Sequence, residues 1–207
     1  MPTDATVYIV EDDPTTRQAL QWLLESVGLE VRACADGREF LDAYRPDRPG
    51  CLLLDLRLPD RGGLIVQEEL IRRGTRLPVI VISGHATVAA AVRAMKHGAV
   101  DVLEKPVSDE RLLECVQEAV AVDRRRRAKA AAREQAARDL AVLTARETQV
   151  LDRLLEGLAA KQIAQELGIS RRTVEVHRAR LLQKLGVQSI AKLVRLAVAA
   201  GRCPAAA

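Results

Sequence analysis

The chain has 207 residues, of which 48% are hydrophobic and 29% are charged, and its formal net charge is +4. That length suits one large or two small domains. No apolar run approaches the ~20 residues of a transmembrane helix and the N-terminus lacks a secretory pattern, so we expect a cytoplasmic protein. The four cysteines lack metal-site spacing and predict buried thiols in a reducing compartment.

The charges are distributed unevenly along the chain. Residues 1–122 carry 14 Lys and Arg against 20 Asp and Glu, whereas residues 123–207 carry 18 against 8. This asymmetry predicts two domains, of which the basic one faces a polyanion such as nucleic acid. The alternative is a basic tail without a partner.

The first half alternates short β-rich runs with helical patterns, which predicts a parallel sheet covered by helices on both faces. The predicted strands are Thr6–Val10, Glu30–Cys34, Cys51–Asp55, Pro78–Ser83 and Asp101–Leu103. The predicted helices are one capped by Asp13 and ended by Gly28, then Gly37–Tyr44, Leu64–Arg73 and Thr87–His97.

A longer helical pattern begins near Glu110 and continues through an arginine run, 124–127, to about residue 142. The segment lacks Gly and Pro, and alanine supplies most of its apolar content beyond residue 122, so it has little surface to bury. We predict an exposed helical linker at 123–139, between a domain at 4–122 and a second domain at 140–203.

Four helices are predicted beyond the linker. They run from a capping box of Thr144 and Glu147 to Gly157, over Ala160–Leu167, over Arg171–Leu185 and over Ile190–Ala200. A tight turn at 168–170 joins the second and third as a helix-turn-helix, a motif whose second helix enters the DNA major groove.

Helical periodicity assigns the faces of that second helix. The core side contains Val174, His177 or Arg178, Leu181 and Leu185. An ordinary helical bundle with a basic surface is the alternative. The residues expected to contact bases or phosphates are Arg171, Arg172, Thr173, Glu175, Val176, His177, Arg178, Ala179, Arg180, Gln183 and Lys184.

Acids and a lysine follow the predicted strands at one edge of the sheet, where side chains of a parallel sheet converge. Carboxylates are ligands that Mg²⁺ prefers, so we expect Asp12 and Asp55 to bind Mg²⁺ directly and Glu11 to bind it through water. The Asp55 carboxylate could then attack a phosphorus atom, with Lys105 and the Ser83 hydroxyl neutralising the transferred oxygens. Taken singly, each residue has a structural explanation as a turn, cap or surface residue; their combination favours a site.

The motifs IVEDDP, LLLDLRLPD, VISGH and LEKP, in this order, resemble the receiver domain of two-component response regulators over about residues 4–122. The resemblance implies an α/β flavodoxin-like doubly wound parallel sheet of order 2-1-3-4-5. It implies a sensor histidine kinase that phosphorylates Asp55 and a metal ligand in the backbone carbonyl of Arg57. It also implies a peptide bond at Lys105–Pro106 that is often cis in the family.

Val102 departs from that family, which usually has an aromatic rotamer switch at this position. Valine cannot swing as a ring does, so we expect the signal to leave through the loop Gly84–Thr87, which contains His85, and the helix after it. Val102 leaves open an alternative, a constitutive DNA-binding regulator with a vestigial receiver.

The segment from LTARETQVL to LVRLA resembles the LuxR-type, all-α four-helix DNA-binding domain over about residues 140–200. The whole chain is therefore similar to NarL/FixJ-type response regulators, and most to the FixJ branch. This implies a transcription regulator that binds double-stranded promoter DNA as a phosphorylation-dependent homodimer, with RNA polymerase as a possible partner.

An enzyme is the remaining alternative. Phosphohydrolases with an Asp nucleophile use an Asp-x-Asp pair, but Arg57 stands where the second acid would be. We therefore expect no enzymatic turnover beyond slow loss of phosphate from Asp55.

Overall fold

The computed structural model describes residues 4–59, 62–84 and 87–202. Its strands are β1 Thr6–Val10, β2 Glu30–Cys34, β3 Gly50–Asp55, β4 Val79–Ser83 and β5 Ala99–Glu104. Its helices are α1 Pro14–Ser26, α2 Gly37–Ala43, α3 Gly63–Arg72, α4 Val88–Lys96, α5 Asp109–Leu140, α6 Ala145–Leu155, α7 Ala160–Leu167, α8 Arg171–Lys184 and α9 Ile190–Ala199. The chain divides into two compact units between Arg127 and Ala128.

The first unit contains a parallel sheet of order β2-β1-β3-β4-β5, which confirms the predicted topology. Strands β1, β3 and β4 are buried along their whole length because they have neighbours on both sides and helices on both faces. In the register, Val10 pairs with Leu54, Asp55 with Ile82, and Ser83 with Glu104. The carboxyl ends of β1, β3, β4 and β5 therefore lie along one edge.

Two apolar layers cover the faces of this sheet. Successive strand residues point to opposite faces, so Ile9 packs with Leu24 of α1 and Leu112 of α5, whereas Tyr8 packs with Phe40 of α2. The Tyr8 and Phe40 rings meet edge to face, with their centroids 5.4 Å apart.

Helix caps determine most of the predicted boundaries. The Asp13 carboxylate accepts a hydrogen bond from the Thr16 N–H (2.7 Å) at the start of α1, and Thr87 caps α4 in the same way. Strand β5 is longer than predicted, since its pairing with β4 extends over Ala99–Glu104 with a register shift near Ile80.

Helix α5 is continuous, but the predicted exposure of its linker segment is wrong at Asp123, which is fully buried. The Asp123 carboxylate accepts a hydrogen bond from the Gly50 N–H (3.1 Å) and forms ion pairs with Arg126 and Arg127. Arg127 also donates to the Pro46 carbonyl. These bonds satisfy the buried charge and fasten α5 to the start of β3.

The second unit packs α6 to α9 around one core, in which Leu151, Ile163, Val174, Leu181 and Leu193 have no exposed surface. Its predicted helices are confirmed to within one or two residues at each end. Gly168, with a φ of +65°, ends α7 and makes the tight turn to α8. Within the described residues, no helix has both the length and the apolar composition needed to cross a bilayer.

Candidate metal centre and nucleic-acid interface

Three carboxylates converge at the carboxyl edge of the sheet. Glu11 and Asp12 follow β1 and Asp55 ends the neighbouring β3, and one ligand oxygen from each lies within 4.8 Å of the others. Glu11 and Asp55 are buried, whereas Asp12 is exposed. The structure therefore brings together the three acids for which the sequence predicts a metal site.

Lys105 bridges the two buried acids. Its ammonium donates to Glu11 Oε2 over 2.6 Å and to Asp55 Oδ2 over 2.5 Å. The Lys105 N–H donates to the Ser83 carbonyl (3.0 Å), which holds the β5–α5 loop beside β4. The Lys105–Pro106 peptide bond is cis, as expected.

Burial and pairing compete in the electrostatics of this pocket. Burial raises the pKa of Glu11 above its ordinary value, and the hydrogen bond from Lys105 opposes that effect only in part. For Lys105, burial lowers the pKa, but its bonds to Asp55 and Glu11 outweigh burial and the pKa is raised overall. Lys105 thus stays an ammonium ion and limits the repulsion between the buried carboxylates.

Two backbone contacts surround Asp55, one at its carboxylate and one at its carbonyl group. The Arg57 N–H donates to Asp55 Oδ1 over 2.8 Å. A Cβ atom at Gly63 would lie 2.2 Å from the Asp55 carbonyl oxygen, so only glycine fits where α3 begins. Gly63 was not predicted from the sequence, because this close approach is visible only in three dimensions.

A second missed residue is Arg17. Its guanidinium Nη1 donates to the carbonyl oxygens of Glu11 (2.6 Å) and Asp12 (3.0 Å), in the loop that carries two of the acids. The contact joins a side chain to backbone oxygens, for which the sequence pattern carries no direct signal.

The remaining predicted pocket residues are placed as follows. Ser83 is buried at the end of β4, one position beyond the residue that pairs with Asp55. Thr87 acts as the cap of α4, and Val102 is half-buried in β5 against the apolar layer that contains Tyr8. Gly84 is half-buried in the turn after β4, whereas His85 lies outside the described residues.

The residues present fit a hard divalent cation. All the candidate ligand atoms are oxygens, and two of the three carboxylates are buried beside one another, where unneutralised charge is unfavourable. Arg57, whose N–H bonds the Asp55 carboxylate, also has a carbonyl oxygen in this loop. The arrangement places a buried carboxylate beside an ammonium group and beside oxygen atoms that could hold a cation.

Helix α8 presents the face that periodicity predicts. Val174 and Leu181 are fully buried in the core, whereas Val176 is 42% exposed on the other side. Thr173, His177 and Arg178 are half-buried at the border between these faces. The exposed candidates for DNA contacts are Arg171, Arg172, Glu175, Val176, Ala179, Arg180, Gln183 and Lys184.

Several of these candidates already have partners within the unit. Lys184 Nζ donates to Oε2 of the buried Glu147 (2.7 Å), and Arg178 donates to Glu175 (3.1 Å). A phosphate contact by Lys184 would have to break an ion pair with a buried carboxylate. Arg171, Arg172 and Arg180 also lie on the exposed surface of α8, and within the described residues no ion pair engages them.

Two families match the chain. The response regulator receiver domain matches residues 7–117, and the bacterial regulatory proteins of the luxR family match residues 141–197. Each match lies within one of the two compact units, and residues 118–140 of α5 lie between the two matches.

Similar proteins align over almost the whole chain. The transcriptional regulatory protein FixJ of Azorhizobium caulinodans is 42% identical over 99% of this chain and 97% of its own length. Nodulation protein W of Bradyrhizobium diazoefficiens is 41% identical over 96% of this chain and 88% of its own. The solved structure of the response regulator StyR is 39% identical, with a TM-score of 0.83 over 95% of this chain and 99% of that one.

Proposed function

Since the chain belongs to the two-component response regulators that join a receiver to a LuxR-type DNA-binding domain, it is a phosphorylation-dependent transcriptional regulator, and we propose that Asp55 is its phosphoacceptor. One observation carries this proposal. The buried Asp55 carboxylate lies within 4.8 Å of Glu11 and Asp12 and 2.5 Å from the Lys105 ammonium. A nucleophile, a cation site and a fixed positive charge meet nowhere else among the described residues.

We further propose that the cation is Mg²⁺. Asp12 and Asp55 would bind it directly, Glu11 through water, and Arg57 by its carbonyl oxygen. When bound, Mg²⁺ supplies positive charge that offsets the charge on the phosphoryl oxygens. The oxygen-only donor set supports this choice, since it suits Mg²⁺ better than a softer metal.

The residues of the chain then have separate roles in the transfer. A carboxylate oxygen of Asp55 forms a bond to phosphorus while the bond to the phosphohistidine nitrogen of the kinase breaks, and the imidazole keeps that electron pair. Lys105 exchanges its carboxylate bonds for a bond to a phosphoryl oxygen, and the Ser83 hydroxyl donates to another. Arg57 holds Asp55 in place through its N–H.

Dimerisation and DNA binding complete the proposal. Helix α4 exposes Val88 (82%), Val92 (46%) and Met95 (49%), an apolar surface that supports pairing through α4 and β5. Dimerisation would place two α8 helices on adjacent half-sites of promoter DNA, where RNA polymerase is the next partner. We place this activity in the cytoplasm and expect no turnover beyond slow loss of phosphate.

Incubation with acetyl phosphate and Mg²⁺ tests the assignment of Asp55. We expect intact-mass spectrometry to show one phosphoryl group on the wild type and on Asp42→Asn, which removes an exposed acid of α2, and none on Asp55→Asn. A phosphoryl group on Asp55→Asn would refute the assignment. Promoter binding that is equal for the unmodified, phosphorylated and Asp55→Asn proteins would instead support the constitutive alternative.

A further inference from the structure

Arg17 lies at the end of the first turn of α1, four residues after the Asp13 cap. The positive end of the helix dipole disfavours a cation there, and the Asp13 carboxylate offsets that effect. The informative feature of Arg17 is therefore not its place on the helix but the contact that its guanidinium makes.

The Arg17 guanidinium contacts the loop between β1 and α1. One guanidinium nitrogen, Nη1, bonds the carbonyl oxygens of both Glu11 (2.6 Å) and Asp12 (3.0 Å), so the charge is directed to two successive peptide groups rather than to a carboxylate. Because peptide groups are planar, fixing two successive carbonyls fixes the direction in which the Asp12 side chain leaves the backbone.

Asp12 depends on this support more than the other two acids. Glu11 is buried and bonded by Lys105, and Asp55 is buried and bonded by both Lys105 and Arg57. Asp12 is exposed and lacks the packing that holds its two neighbours.

We propose that Arg17 is a positioning residue that holds Asp12 in the geometry required for Mg²⁺ binding, an inference that rests on the proposed function of the pocket. Arg17 has two opposite effects on the affinity of the pocket for Mg²⁺. Its positive charge repels a cation, so removing the charge alone would tighten Mg²⁺ binding. Its hydrogen bonds organise a ligand loop, so losing them weakens binding, and the second effect is the larger because the site must be assembled before it can bind.

Calorimetric titration of the full chain with Mg²⁺ shows directly which of these two effects on Mg²⁺ affinity is larger. We expect Arg17→Gln to raise the dissociation constant about tenfold, at the lower end of the loss seen when residues supporting metal ligands are removed. Arg17→Lys should fall between Arg17→Gln and the wild type, since an ammonium group lacks the planar fork of arginine. Arg32→Gln removes the charge of an exposed arginine in β2 without touching the loop, and its affinity should equal that of the wild type.

The Mg²⁺ dependence of phosphorylation by acetyl phosphate provides the second readout. For Arg17→Gln, the half-saturating Mg²⁺ concentration should rise by the same factor as the dissociation constant, while the rate at saturating Mg²⁺ returns to that of the wild type. A merely structural role would lower the saturated rate and the metal-free unfolding midpoint instead.

The outcomes separate this inference from the proposed function. Equal or tighter Mg²⁺ binding by Arg17→Gln, with the wild type binding Mg²⁺ and becoming phosphorylated, overturns only the role of Arg17. A wild-type protein that binds no Mg²⁺ overturns both. A wild type that binds Mg²⁺ without modification of Asp55 overturns the proposed phosphoacceptor, while the affinities of the variants still decide the role of Arg17.

Discussion

Lys105 is the residue on which the electrostatics of the pocket depend, because it bonds both buried acids at once. Lys105 and Asp55 could be predicted from the sequence because Lys105 follows a strand and Asp55 ends one. The carboxyl ends of parallel strands lie along one edge of the sheet, so side chains there converge. Gly63 and Arg17 were not predicted as site residues. Their roles depend on contacts with backbone oxygens, and a sequence pattern carries no direct signal for such contacts.

The close approach of Gly63 to the Asp55 carbonyl leads to a prediction about a single substitution. Gly63→Ala should destabilise the protein by about 1–3 kcal/mol, since its Cβ would meet the Asp55 carbonyl at 2.2 Å and force the backbone apart. The displacement of Asp55 should also slow its phosphorylation by about tenfold or more. Thermal unfolding and the rate with acetyl phosphate measure the two effects.

Gly84→Ala is the control for stability, because the nearest atom to its added Cβ is 3.9 Å away. Equal unfolding midpoints for the two variants would contradict the proposed steric conflict at Gly63.

Individual helices and strands were predictable where their signals are local. The capping box of Thr144 and Glu147 is confirmed, with the Thr144 N–H donating to Glu147 Oε2 over 2.9 Å. The burial of Asp123 was not predictable, since its partner Gly50 lies 73 residues earlier in the chain. Alanine and arginine around Asp123 favour an exposed helix, and only the tertiary contact reverses that preference.

Glu147 provides a pH-dependent test for α6. The hydrogen bond from Lys184, together with those from Thr144, lowers the Glu147 pKa from 4.5 to about 2. A lowered pKa in the folded state stabilises the fold at pH values above 4.5, and this contribution disappears as the pH falls from 4.5 to about 2.

Glu147→Gln should therefore lower the free energy of unfolding at neutral pH by about 1–2 kcal/mol, with a difference from wild type that shrinks as the pH falls through that window. Denaturant titrations of the wild type and the variant at several pH values measure this difference in the free energy of unfolding. Glu134→Gln, which breaks an exposed ion pair with Arg138, should have little effect at any pH. A Glu147→Gln difference that is independent of pH would show that the carboxylate charge is not the cause.

On the scale of the whole molecule, the uneven charge predicted two domains with different partners. The structure has two compact units with separate cores, and each unit matches one of the two families. The sequence could not predict which basic residues of α8 are engaged within their own unit, because Lys184 and Glu147 lie 37 residues apart.

That distinction predicts how salt should affect DNA binding. Arg180→Ala should weaken binding to all DNA sequences. It should also make the negative slope of log affinity against log salt concentration shallower by about one, because binding without that phosphate contact releases one counterion fewer. Lys184→Met should leave the slope unchanged, because its ammonium is paired with Glu147. Binding assays at several salt concentrations compare the variants, and a reduced slope for Lys184→Met would place its ammonium on a phosphate.

Strand β3 has a consequence for how this receiver tolerates change. Its first residue, Gly50, bonds the carboxylate that fastens α5, and its last, Asp55, is the proposed phosphoacceptor. Six residues of extended chain span only about 20 Å, so one short segment determines the distance between the two ends. Inserting a single residue there would turn the side chains beyond it to the wrong face and dislodge one end or the other. We therefore expect insertions and deletions to be tolerated in the loops, because β3 fixes the distance between its two ends.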